Sequence, residues 1–182
     1  MKLKLNDVRI AFPVLFEPKT VNGEGKPAFS SSFLLDPADA QVKAINAAIG
    51  QVAKEKWGTK ADAILKQMRA QDKVCLHDGD LKSNYDGFPG MLYVSARAAT
   101  RPLVIDRDKS PLAESDGRPY AGCYVNCSIE LWAQDNNYGK RVNASLRGVQ
   151  FFRDGDAFAG GAPASEDEFD DVAEGANADS LV

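Results

Sequence analysis

Four aromatic side chains, Tyr93, Tyr120, Tyr124 and Trp132, and five cationic ones, Arg97, Arg101, Lys140, Arg141 and Arg147, lie in or beside stretches of alternating polarity. A ring standing on a sheet offers a flat π face to any nucleobase, and each such stack contributes about 1–3 kcal/mol whatever the base. Guanidinium and ammonium groups beside the rings neutralise phosphates. The chemistry these residues could do together is therefore binding of a single-stranded nucleic acid. For each ring the competing reading is packing, either under a helix or in an interface between copies of the chain.

Other chemistries find weaker footing. Asp78, Asp80 and Asp86 could gather Mg²⁺ for phosphodiester cleavage, since such ions take carboxylate oxygens. All three, however, sit in one glycine-containing loop, LHDGDLKSNYDGFPG, where Asp is favoured for turn geometry alone. His77, the single histidine, has no second histidine and no Ser or Cys placed to use it as a base, and reads as a surface polar residue. Cys123 and Cys127 stand about 13 Å apart along a strand, too far to share one metal ion. With Cys75 they make an odd number of cysteines, which suits free thiols in a reducing compartment. VNGEGKP lacks P-loop spacing and the Ser or Thr after its lysine. No metal, cofactor or catalytic residue is expected.

The elements that must position the aromatic face can be read from periodicity. Leu3 to Phe12 alternates, with Val8, Ile10 and Phe12 on one side and Arg9 and Ala11 on the other. A second strand is expected over Ala28 to Leu35, after the glycine-rich turn. Asp36 as N-cap and Pro37 as first helical residue predict a helix carrying Val42, Ile45, Ile49 and Val52, ending near Trp57 and Gly58. A second helix is expected over Lys60 to Ala70, with Ile64, Leu65 and Met68 inward. Strands resume at Met91 to Ala99 and, briefly, Pro102 to Ile105. The longest alternation runs from Tyr120 to Ala133, where Cys123, Val125, Cys127, Ile129 and Leu131 share one face and Tyr120, Tyr124 and Trp132 the other. After the turn QDNNYG, Lys140 to Arg153 pairs back, with Gly148 shifting the register. Five or six strands with one helical insertion after the second fit a mainly β chain, a five-stranded antiparallel barrel of OB type.

Charge divides the chain in two. Residues 1–153 carry 22 basic and 17 acidic residues, a net +5, whereas residues 154–182 carry nine acidic residues and no Lys or Arg. The expected organisation is a binding domain over 1–153 and an acidic tail over 154–182, disordered because its hydrophobicity is low and its charge unbalanced. Glu166, Asp167, Glu168, Asp170 and Asp171 surround Phe169, a pairing of charge with a docking residue that suits a partner protein. No stretch of 18 apolar residues and no secretory signal occurs, so a cytoplasmic protein is expected, with no membrane partner.

Ordered blocks carry a further signal. LNDVRIAFPVLFEP, then DGFPGMLYVSARA with RPLVID, YAGCYVNCSIELWAQD, LRGVQFFRDGDAF and the acidic tail together resemble a bacteriophage single-stranded DNA-binding protein family, a phage group formerly catalogued as a domain of unknown function. The resemblance implies an OB-fold, sequence-independent binding of single-stranded DNA in replication and recombination in the cytoplasm of an infected host, and a tail that recruits replication proteins. Related phage proteins often end in an aromatic residue, whereas this chain ends Ser180, Leu181, Val182, which passes the docking role to Phe169. The alternatives are a phage structural protein that oligomerises through the sheet face and a Mg²⁺-dependent nuclease. Monomer and homodimer both stay open.

Overall fold

The first two strands form one long hairpin. In the computed structural model, which describes residues 1–21, 23–158, 169–170 and 172–173, β1 spans Lys2–Val21 and β2 spans Glu24–Leu35. They are followed by α1 (Ala40–Trp57), α2 (Ala61–Ala70), β3 (Leu76–Asp78), β4 (Leu92–Ala98), β5 (Leu103–Ile105), β6 (Tyr124–Asn136) and β7 (Gly139–Arg153). The strand order is β3-β4-β2-β1-β6-β7-β5, and a further pairing of β4 with β7 closes β1, β2, β4, β7 and β6 into a barrel. The five-stranded barrel with helices after its second strand is as expected. One seam departs from a wholly antiparallel pattern: β4 meets β7 in parallel, Arg97 opposite Ser145.

Alternation fills the barrel. Val125, Cys127, Ile129 and Leu131 of β6 face inward beside Val142, Ala144 and Leu146 of β7, all at 5% exposure or less. Ile45, Ile49 and Val52 of α1 close the same core from outside, and burial of such aliphatic side chains contributes about 1.5–3 kcal/mol each. The far end of α1 is tied to the β6–β7 hairpin, where the Trp57 indole N–H donates to Asp135 Oδ2 at 3.0 Å. That bond, with Lys140 nearby, holds the Asp135 carboxyl below its ordinary range. The three cysteines are free and buried, and burial pushes the Cys75 and Cys123 thiols up to about 11. No described helix is long and apolar enough to cross a membrane.

Three local expectations change. The N-cap of α1 is Asp39, not Asp36, its side chain accepting from Gln41 N at 2.9 Å. Asp36 instead caps the preceding turn through Ala38 N, so Pro37 lies before the helix. Phe12 does not share the inward face of Val8 and Ile10: β1 loses register between Ala11 and Val14, and Phe12 turns out to 45% exposure. Pro13 explains this, because it has no N–H to give the ladder. Near Gly148 the expected register shift is present, between Ser128 and Ile129 of β6, which leaves Arg147 as the extra residue of a bulge.

The chain stays against the barrel beyond Arg153. Phe158 N donates to Ala121 O at 3.0 Å, Gly155 N to the Tyr120 hydroxyl at 3.2 Å, and the Arg9 guanidinium bonds Asp156 O and lies 4.3 Å from the Phe158 ring centroid. This strap needs Gly122, at φ +103°, since a Cβ there would stand 2.3 Å from Asp156 O. A half-buried Phe and its hydrogen bonds are worth about 2 kcal/mol. A chain ending at Arg153 should therefore melt about 4–8 °C below one ending at Phe158 in a calorimetric comparison. Of the proposed docking segment, Phe169 and Asp170 are described, with Phe169 at 71% exposure. Glu166, Asp167, Glu168 and Asp171, and the expectation of a disordered tail, lie outside the described residues.

Candidate nucleic-acid interface

A cleft of about 800 Å³ crosses the outer surface of the barrel over β2, β4 and β7. Its floor is made of small residues, including Ser30, Ser32, Ser95, Ala98 and Ser145. Short side chains on neighbouring strands leave a trough in which a phosphate chain can approach the sheet closely. The walls come from two hairpins: Lys19 and Lys26 beside the β1–β2 turn, and Trp132, Gln134, Arg141 and Asn143 near the β6–β7 turn. Lys82, His77 and Phe12 stand at one end. Among the described residues five cations and no carboxylate line the cleft, so their field is of one sign and falls on the groove where a polyanion would lie.

The structure brings together three of the nine sequence-predicted contact residues. Arg97, Arg141 and Trp132 line the cleft. Arg97 is exposed and donates to Lys26 O at 3.2 Å, which aims it along the wall, and Trp132 is 44% exposed. Lys140 and Arg147 belong to the same hairpin but are matched by carboxylates, Lys140 with Asp135 at 3.7 Å and Arg147 with Glu130 at 3.0 Å. Arg101 lies over the Phe16 ring, 5.6 Å from its centroid. Because Glu130 already holds Arg147, Arg147→Ala should change affinity for single-stranded DNA by less than about threefold in an anisotropy titration.

The remaining three rings are engaged elsewhere. Tyr93 is 3% exposed, stacked on His77 at 4.9 Å and edge-on to Phe88 at 5.1 Å. It belongs to a second small core with Ala11, Leu34 and Phe88, roofed by the 79–91 segment. Burial, with Asp72 and Asp78 nearby, raises its phenol above the ordinary value. The Tyr120 hydroxyl bonds Asp154 Oδ1 at 2.8 Å and so clamps the strap. Arg153 covers the Tyr124 ring at 3.6 Å and is itself paired with Asp7 at 2.9 Å.

Sequence reasoning missed Phe12, Lys19, Lys26 and Lys82. Pro13 was the available sign for Phe12, and for the two hairpin lysines it was their place beside the turn of the first two strands, which in a barrel borders the exposed face of the second. Two of the loop carboxylates serve as backbone acceptors: Asp78 takes Asp80 N, and Asp80 takes Gly90 N, each at 2.9 Å. Among the described residues no three His, Cys, Asp or Glu side chains gather as a metal site.

A closed barrel whose strands β2, β4 and β7 and two flanking hairpins form a cationic, aromatic-edged cleft is an OB-fold of the ligand-binding kind. The family model described as Enterobacter phage Enc34, ssDNA-binding protein, matches residues 1–181, and the chain belongs to that family, one of binding proteins and not of enzymes. A curated relative named putative protein p50, from Acyrthosiphon pisum secondary endosymbiont phage 1, is 53% identical over 175 residues, 94% of each chain. The single-stranded DNA-binding protein from bacteriophage Enc34, solved in complex with ssDNA, superposes with a TM-score of 0.73 at 30% identity, covering 86% of this chain and 88% of that one. Another structure of the Enc34 protein gives a TM-score of 0.71 at 31% identity, covering 93% and 90%.

Proposed function

We propose that this chain binds single-stranded DNA without regard to sequence, along the cleft over β2, β4 and β7, and so protects and organises it during phage replication and recombination in the cytoplasm of the infected cell. The observation that carries the reading is a trough lined, among the described residues, by five cations and no carboxylate, in a chain whose Enc34 relative was solved with ssDNA. Arg97, Arg141, Lys19 and Lys26 follow the phosphates and Trp132 stacks a base. Every base has a π face and every nucleotide a phosphate, so such contacts carry little sequence information. Titration of several labelled oligonucleotides of unrelated sequence should give closely similar affinities. Absence of binding, or a strong preference for one sequence, would overturn the proposal.

The acidic segment around Phe169 is proposed to recruit replication or recombination proteins, supported by its charge alone. With no cation in 154–182 to neutralise it, that segment also competes with DNA for the cationic cleft. A chain ending at Phe158, which keeps the strap, should then bind DNA more tightly at low salt than the full chain.

A further inference from the structure

Beside the cleft, and sharing Phe12 with it, lies a second hollow of about 310 Å³ lined by Ala11, Phe12, Asn84, Tyr85, Asp86, Phe88, Ala121 and Phe158. Four of its eight lining residues are phenyl or phenol rings. Phe88 is fully buried and forms a fixed base, whereas Phe12 and Tyr85 are each 45% exposed and meet edge to face, with centroids 5.0 Å apart and planes at 89°. Such a corner presents the face of one ring beside the edge of another, an arrangement that receives a flat aromatic guest. The Lys82 ammonium lies 5.6 Å from the centroid of Phe12 and 5.9 Å from that of Phe88. A cation is thus placed where the hollow opens toward the cleft.

The backbone supports the same reading. Phe12 has φ +50°, a left-handed conformation that costs a non-glycine residue about 1 kcal/mol or more. It occupies the irregular stretch where β1 loses register, and bulges of this kind re-aim a side chain. Simple packing would have turned Phe12 into the barrel with Val8 and Ile10. Instead a strained backbone holds a large apolar ring half in water, at the point where cationic cleft and aromatic hollow meet.

We infer that this hollow is a nucleobase subsite: one base of the strand lying in the cleft turns out of it and stacks into the corner that Phe12 and Tyr85 form over Phe88, with its phosphate near Lys82. Asn84, which offers both donors and an acceptor, meets the base edge without restricting its identity. Phe158 of the strap completes the lining of the hollow, so the subsite is whole only when residues 154–158 are seated. The inference rests on cleft binding of single-stranded DNA and adds a base contact outside the cleft.

Binding to an ordinary oligonucleotide and to a fully abasic strand of equal length tests it. The variants are Y85A and Phe12→Gly, the latter because glycine accepts φ +50° without strain. Combined, they should weaken binding of the ordinary strand at least about fivefold and leave the abasic strand unaffected. Phe12→Tyr should restore the difference. Equal affinity of variant and wild type for the ordinary strand, or equal loss on both strands, would overturn the subsite while leaving the cleft reading intact. Failure of the wild-type protein to bind either strand would instead remove the reading beneath it.

Discussion

Replacing Arg97 and Arg141 together by glutamate is expected to lower affinity for single-stranded DNA on the order of 100-fold or more at low salt, with little change in thermal stability. Two charge-assisted phosphate contacts are lost, each worth about 1.5–3 kcal/mol, and two like charges are set in the same trough. Both side chains can change without harm to the fold. Arg97 is exposed, with one hydrogen bond to a backbone carbonyl, and Arg141 holds no ion pair among the described residues. The salt dependence provides a sharper mark. Each phosphate neutralised contributes about −0.7 to the log–log slope for a single strand, so Arg97→Ala with Arg141→Ala should flatten it by about 1.4. An unchanged slope would place the phosphates elsewhere, whatever happened to the affinity.

Trp132→Ala has the second largest expected effect, a loss of about 10-fold or more, because a stacked base contributes about 1–3 kcal/mol. It also carries an optical signature. The chain has two tryptophans. Trp57 is fixed at the end of α1 by its bond to Asp135, while Trp132 stands in the cleft wall. Adding oligonucleotide should quench tryptophan emission in the wild type and in Trp57→Phe, and the quench should vanish in Trp132→Phe. Retention of the full quench in Trp132→Phe would show that Trp132 does not stack a base.

The barrel was legible because its signal is local. Inward alternation at Val125, Cys127, Ile129 and Leu131 and the helical stripe of Ile45, Ile49 and Val52 each report a buried face within one segment. Trp132, Arg97 and Arg141 were readable on the same grounds, as outward residues of strands that meet in the closed barrel. Periodicity does not say what covers an outward face. Tyr93 alternates outward correctly, yet the 79–91 segment roofs it. Tyr120 and Tyr124 also stand outside the core, and both are occupied, one by the strap and one by Arg153. Phe12 failed for the opposite reason: alternation continues through it in the sequence, while Pro13 breaks the ladder. Charge was legible by region and not by partner. Lys140 and Arg147 read in sequence as cations of the face, whereas the fold pairs them with Asp135 and Glu130, and Lys19, Lys26 and Lys82 reach the trough only through the hairpins and the loop that surround it.

Photocrosslinking tests most directly where the strand lies. An oligonucleotide carrying 5-iododeoxyuridine, bound to the full chain and irradiated, should give adducts that map by mass spectrometry to peptides containing Trp132 or Phe12. Adducts confined to α1, α2 or the Tyr124 face, with the β1 and β6 cleft residues unmodified, would contradict binding in the cleft.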